Sequence, residues 1–274
     1  MTRMKLRLWT RFVSFVSALA LLVLMLGGCG TELNPTIAEV SGRTVEVVET
    51  GKGDATVVFE SGLGNDWSPW DEVASEVAAR ARVFAYSRPG YGESDPTTAP
   101  RDASHIVEDL RALLAARGYA PPYVLVGHSF GGTYMELFAK AHPDEVSGLV
   151  LVDPRHRDFS AACAHAEIDG CGIPESAVDS LPDVQIAEYR AFPQSSGEIA
   201  ETPGFGHYPV RVLTATSHGL PSEGEALWVS MLGSLADEAE DGEQRVFEGA
   251  NHNLEVNHAH EVAETILSLL PPKI

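Results

Sequence analysis

Basic side chains are scarce in this chain. Nineteen Lys and Arg face 39 Asp and Glu, giving a formal net charge of −20 over 274 residues. No Lys/Arg-rich run offsets that excess, so nucleic acid is excluded as a partner: phosphates are repelled by such a surface. The same excess implies reluctance toward anionic substrates or lipid head groups. Internal repeats and low-complexity tracts are absent, which excludes a repeat architecture. Hydrophobic residues make up 44% and charged residues 21%, an ordinary globular balance that excludes a disordered chain, a collagen and a multi-span membrane protein. Cysteine is rare, at three residues, and an odd count leaves at least one unpaired within the chain. The length suits one large α/β domain or two small ones.

One long apolar run is present, at the start. Residues 1–11 hold Arg3, Lys5, Arg7 and Arg11 and no acid, and residues 12–28 read FVSFVSALALLVLMLGG. A basic start before a short apolar run is an export signal; a spanning helix ordinarily needs about 20 apolar residues. The run ends Leu26-Gly27-Gly28-Cys29 and resembles a bacterial lipobox. That resemblance implies lipidation of Cys29, a lipid-anchored protein in the bacterial cell envelope and a membrane as partner. Removing residues 1–28 takes away four positive charges and no negative ones, so the mature chain carries 15 − 39 = −24. Cys163 and Cys171 remain, and outside the cytoplasm they are expected to pair. The rival reading, a metal site with His156 and His165, lacks the compact CxxC or HxxxH spacing of zinc sites. No metal or organic cofactor is expected.

Residues 29–40 read as a tether, and residues 41–274 as one domain. Within it, short β-branched runs bounded by Gly or Pro predict strands at Thr44–Glu49, Thr56–Glu60, Val83–Tyr86, Tyr123–Val126, Val146–Val152, Val210–Thr214 and Gln244–Phe247. Between them, Ile106, Leu110, Leu113 and Leu114 share one helical face, as do Val262, Ile266, Leu269 and Leu270. Alternation of this kind implies a mostly parallel sheet with helices on both faces. Residues 155–208 hold no convincing strand and one helix-like piece near Asp183–Phe192. They are too long for a simple loop and read as an inserted cap.

The chemistry centres on Gly127-His128-Ser129-Phe130-Gly131-Gly132. It follows the apolar strand YVLV and precedes a helical run over 133–141, the strand–turn–helix setting that G-x-S-x-G requires. The turn strains the serine backbone and needs neighbours without bulk two residues before and after. A hydroxyl is a poor nucleophile without a base. His252, in Gly249-Ala250-Asn251-His252 after the last strand, is the candidate; His258 and His260 sit at the final helix and read as solvated. Two N–H donors must stabilise the developing oxyanion, and Phe130 and Leu63 of Ser61-Gly62-Leu63-Gly64 stand in the expected places. His128, Trp67 and Trp70 are read as pocket residues, with packing as the equal alternative.

These pieces, with Ser87-Arg88-Pro89-Gly90-Tyr91-Gly92-Glu93-Ser94 and Leu151-Val152-Asp153-Pro154, resemble the α/β-hydrolase superfamily in order and spacing over about residues 42–270. The resemblance implies an α/β-hydrolase fold and a serine hydrolase acting on a carboxylic ester or related acyl substrate. Ser at the nucleophile position departs from the dehalogenases and epoxide hydrolases of that superfamily, whose nucleophile is Asp. The superfamily most often carries its triad acid after the strand preceding the last one. Here that stretch, Ala215-Thr216-Ser217-His218-Gly219, has no carboxylate before Glu223 and Glu225. Some members carry the acid one strand earlier, which is Asp153. Asp153 is the favoured acid, with Glu223 or Glu225 as alternatives. The missing acid after that strand also keeps open a non-catalytic binding or sensing lipoprotein that retains the fold.

Overall fold

A computed structural model describes residues 33–40 and 42–272. The export signal and Cys29 lie outside the described residues. Eight strands form one sheet: β1 (Thr36–Val40), β2 (Arg43–Gly51), β3 (Thr56–Glu60), β4 (Arg82–Tyr86), β5 (Tyr123–His128), β6 (Val146–Val152), β7 (Val210–Ala215) and β8 (Gly242–Phe247). Their order is β1-β2-β4-β3-β5-β6-β7-β8; β1 and β2 run antiparallel to their neighbours and the rest are parallel. The central strands β3 and β5 are buried along their whole length. This is why they read as unbroken apolar runs rather than alternating ones.

One expectation is corrected at the start of the sheet. The tether read over residues 29–40 overlaps β1, whose Thr36 to Val40 pair with Val47 to Arg43. An edge strand with one buried residue in five carries almost no apolar signal.

Two cores flank the sheet, one on each face. Helices α2 (Ala103–Ala116) and α3 (Phe130–Ala141) cover one face, burying Ile106, Leu110, Leu113 and Leu114 of α2. Asp102 caps α2 by accepting from the His105 N–H at 3.3 Å, a side-chain acceptor for an otherwise orphaned donor. Helices α1 (Asp71–Val77) and α9 (Ala259–Ser268) cover the other face, with Val262 and Ile266 buried.

Between β6 and β7 the chain leaves the sheet for three helices and no strand: α4 (Phe159–His165), α5 (Glu175–Val178) and α6 (Asp183–Glu201). Helix α6 runs through Pro193 and beyond the expected stop at Phe192. The proline removes one N–H and frees the carbonyl four residues back, that of Tyr189; just beyond it Ser195 Oγ donates to the Ala191 carbonyl and Ser196 Oγ to that of Phe192. Cys163 and Cys171 are joined in a disulfide with an S–S distance of 2.11 Å, so the alternative metal site using both thiols is excluded. The remaining helices are α7 (Ser222–Asp237) and α8 (Leu254–Asn257).

Candidate active site

Ser129 sits between β5 and α3 with φ 53° and ψ −120°, a backbone conformation that non-glycine residues rarely hold. The chain around it leaves no room for side chains. A Cβ on Gly127 would stand 2.5 Å from the Gly131 carbonyl oxygen, and one on Gly131 would stand 2.3 Å from that of Glu60. The two glycines are therefore what lets β5, the turn and β3 approach so closely. Phe130 opens α3, so its N–H belongs to the first turn of the helix, which has no intrahelical acceptor. The loop carrying Leu63 passes over the nucleophile turn, for a Cβ on Gly62 would lie 3.2 Å from that of Ser129.

Asp153 follows β6, is fully buried and holds φ 44°. Its Oδ2 lies 2.6 Å from His252 Nδ1. Its Oδ1 accepts from the Ala215 N–H at 3.0 Å and from Trp228 Nε1 at 2.8 Å. Burial alone would raise this carboxyl, but the hydrogen bonds from His218 and His252 outweigh it and hold it well below the usual carboxylate range. An ionised Asp153 fixes the proton of His252 on Nδ1 and leaves Nε2 as the basic nitrogen. Among the alternatives, Glu223 is bonded to Ser222 and Glu225 to His218, and neither meets His252.

His218 is a further member of this group, reached only through the fold. Its Nε2 lies 2.6 Å from Asp153 Oδ2 and its Nδ1 lies 2.7 Å from Glu225 Oε2. With a carboxylate at each nitrogen both must donate, so the ring is an imidazolium. Burial opposes that charge, and the two carboxylates raise the ring above the ordinary histidine range. Asp153, His218 and His252 are also the one set of side chains among the described residues close enough together to consider as metal ligands. They do not fit one: donors about 2.1 Å from a tetrahedral ion stand more than about 3 Å apart, whereas these touch at 2.6 Å as hydrogen bonds.

The cleft above Ser129 has a volume of about 320 Å³. Its walls are Phe130, Phe159, Tyr189, Ile173, Leu220 and Trp228 with the disulfide-bonded loop at Gly170–Gly172, and its polar groups are Ser129, His252, His218 and Arg155. The three residues expected in the pocket are elsewhere. Trp70 is 1% exposed and packs on Phe59 at 5.1 Å, and Trp67 is buried in the same core. Both belong to the sheet's second core: Trp67 precedes and Trp70 ends a short 3-10 turn at Ser68–Trp70 that packs against α1 and α8. His128 is also buried. Its Nε2 bonds the His252 carbonyl at 3.0 Å and Glu255 Oε1 lies 3.2 Å from its Nδ1. Burial, reinforced by His252, depresses His128 to about 3, and burial, reinforced by Asp153, raises Glu255 to about 8. His128 holds the His252 loop by that hydrogen bond and is not among the residues that line the cleft.

Arg88 is tied to the Ser61–Gly64 loop and is 1% exposed. Nη1 donates to Glu60 Oε1 and to the Ser61 carbonyl, both at 2.6 Å, and Nη2 donates to the Gly62 carbonyl at 2.9 Å. Nε and Nη2 also hold Glu188 of α6 at 3.1 and 3.0 Å, and Arg101 joins the same carboxylate. Burial pushes the Glu188 carboxyl up, but the two guanidiniums overcome it and keep it ionised. One side chain thus ties the loop of Leu63 to the inserted helices. Its sequence signal was the Ser87–Ser94 motif, whose Gly- and Pro-rich pattern marks a turn but not what the arginine holds.

Comparison with known proteins agrees with this architecture. Residues 55–166 match the α/β hydrolase fold family. The uncharacterized protein YqjL of Bacillus subtilis is 27% identical over 215 residues, 77% of this chain and 82% of its own length. Lipase LipV of Mycobacterium tuberculosis is 37% identical over 102 residues, covering 37% of this chain and 38% of the lipase. Epoxide hydrolase VrEH1 from Vigna radiata superposes with a TM-score of 0.65 at 17% identity, covering 86% of this chain and 97% of that one; at that identity the likeness concerns the fold. At the level of architecture the chain has the α/β-hydrolase fold.

Proposed function

We propose that the chain is a serine hydrolase acting on a carboxylic ester or related acyl substrate. The observation that carries this reading is the 2.6 Å contact of Asp153 Oδ2 with His252 Nδ1, in a cleft that His252 shares with Ser129 on its strained turn. In this mechanism Ser129 Oγ attacks the carbonyl carbon and its proton passes to His252 Nε2. The carbonyl oxygen takes the negative charge and is met by the N–H groups of Leu63 and Phe130. The imidazolium gives its proton to the leaving group, and the acyl-enzyme remains. His252 then removes a proton from water, which attacks the acyl carbon; collapse returns the proton to Ser129 and releases the acid. The second histidine on Asp153 keeps that carboxylate ionised and fixed in place. Export and lipidation at Cys29 would hold the enzyme at a membrane face, since several acyl chains are needed for stable anchoring.

Active-site labelling tests the reading. A fluorophosphonate probe is expected to label the wild-type chain and not Ser129→Ala, and a panel of esters, amides and lactones to reveal turnover. Absence of labelling in wild type, or equal labelling of the alanine variant, would turn the conclusion to a binding or sensing protein that keeps the fold.

A further inference from the structure

The cleft beside Ser129 is walled by aromatic and aliphatic groups, yet one arginine is among its lining residues, Arg155, whose guanidinium lies over the wall residue Phe159. Its backbone N–H donates to the Ser129 carbonyl at 2.9 Å, so the residue is tied to the nucleophile turn. The Cζ atom lies 5.3 Å from the Phe159 ring centre and 5.7 Å from that of Phe192. A guanidinium has five N–H donors, and Nη2 uses one of them on Ser160 Oγ at 2.5 Å. Among the described residues no carboxylate pairs with it. Arg157, two residues on, shows the contrast: it bonds Glu136 at 2.8 Å and Glu238 at 2.7 Å. Acids outnumber bases two to one in this chain, 39 to 19, so the missing partner does not reflect a shortage of acids. Acids close in sequence or belonging to the site are already engaged, Asp158 with Arg157 at 3.4 Å. Asp153 is bonded by His252, His218, Trp228 and the Ala215 N–H, and Glu225 is held by His218. A half-buried charge left without a counter-charge is costly, and burial lowers the Arg155 guanidinium from its ordinary value accordingly.

We propose that Arg155 is the anion-recognition residue of this cleft, and that the substrate is an acyl compound bearing a compact oxyanion, a carboxylate or a phosphate, near the carbonyl that Ser129 attacks. The proposal rests on the serine-hydrolase reading and names its substrate class. The planar fork presents parallel N–H groups that match two oxygens of either anion. Aromatic walls lower the local dielectric and strengthen the pairing over what it is in water. Binding supplies the counter-charge that the protein leaves out.

The test compares two p-nitrophenyl esters of equal acyl length, the anionic hemisuccinate and the neutral butyrate. Wild type is expected to show the higher kcat/KM on the hemisuccinate. In Arg155→Met the ratio of the two is expected to fall about 10- to 100-fold, the range set by losing a charge-assisted hydrogen bond. Arg155→Lys, which keeps the charge but not the fork, is expected to give an intermediate ratio and serves if the methionine variant does not fold. The ratio cancels any general damage to catalysis. A wild-type ratio below one, or a ratio unchanged in the variants, overturns the proposal. Calorimetric titration of the full chain with succinate and with inorganic phosphate separates the two anion sources and does not depend on turnover. If neither ester is cleaved, saturable binding of either ion that is lost in Arg155→Met upholds anion recognition while the hydrolase reading falls. No binding of either ion, together with no turnover, removes both.

Discussion

At the scale of single residues, the site depends on which carboxylates are charged and which are not. Asp153 is ionised and locked by four donors. Replacing it with Asn removes the acceptor that sets the His252 tautomer, and kcat is expected to fall by about 10²- to 10⁴-fold with the cleft intact, measured on whichever ester the panel identifies. Glu255 is the opposite case, a buried acid raised to about 8 by burial. The folded chain therefore holds a proton that the unfolded chain releases near the ordinary glutamate value of 4.5. Stability contributed at this site consequently falls as pH rises from about 4.5 to about 8 and stays low above it. Glu255→Gln removes that slope, so the variant is expected to be the more stable form at pH 9 by up to a few kcal/mol, and equal to wild type near pH 4, as read by urea unfolding at each pH. The residues found from sequence and those missed differ in kind. Ser129 and His252 carry local signals, a glycine-flanked turn and a position after the last strand. Asp153 was legible as the end of a buried strand. His218 was not, because its partners are 65 positions back and 7 forward and only the sheet brings them together. Trp67 and Trp70 misled because an aromatic at a helix start fits a core and a pocket equally well, and no periodicity in so short a helix says which way it faces.

Among the elements, the joint between the loop of Leu63 and α6 matters most. Arg88 joins Glu60 at the end of β3, the carbonyls of Ser61 and Gly62, and Glu188 of α6 in one buried cluster. Arg88→Met leaves Glu60 and Glu188 with reduced compensation inside the protein. Breaking a buried ion cluster from one side costs about 3–5 kcal/mol, and a shift of this size is expected in denaturant unfolding. Freed carbonyls also loosen the loop that carries Leu63. A displacement of about 1 Å there is worth up to about 100-fold in rate, so kcat is expected to fall more than KM rises. The strands were largely legible because six of the eight lie in the sheet interior, whereas the edge strand β8, with one buried residue in six, was legible only over Gln244–Phe247. The edge strand β1 was not, since its pairing with β2 is made by backbone groups whose side chains look like those of a linker.

Taken as one body, the molecule combines a repulsive exterior with a cleft built around a cation. Thirty-nine acids against 19 bases make the folded chain repel itself, and compact states suffer most from that repulsion. Raising NaCl from about 10 to 200 mM shortens the screening length from about 30 Å to under 10 Å. The melting temperature at pH 7 is expected to rise by a few degrees over that range, measured by calorimetry, and to rise less at pH 4.5, where part of the acid charge is neutralised. Composition revealed the sign of this surface field but not its exception, because the environment of Arg155 is assembled from α4, α6 and the nucleophile turn.

The bond between Cys163 and Cys171 fixes when the cleft is finished. Gly170, Cys171 and Gly172 form part of its wall, so one side of the chamber is held by a bond that exists only where thiols are oxidised. Protein made in a reducing cytosol would present the same nucleophile in a chamber with a slack rim. Preparations from the two compartments should then differ in substrate preference while sharing one sequence, and adding a thiol reductant to the oxidised form should convert the first behaviour into the second.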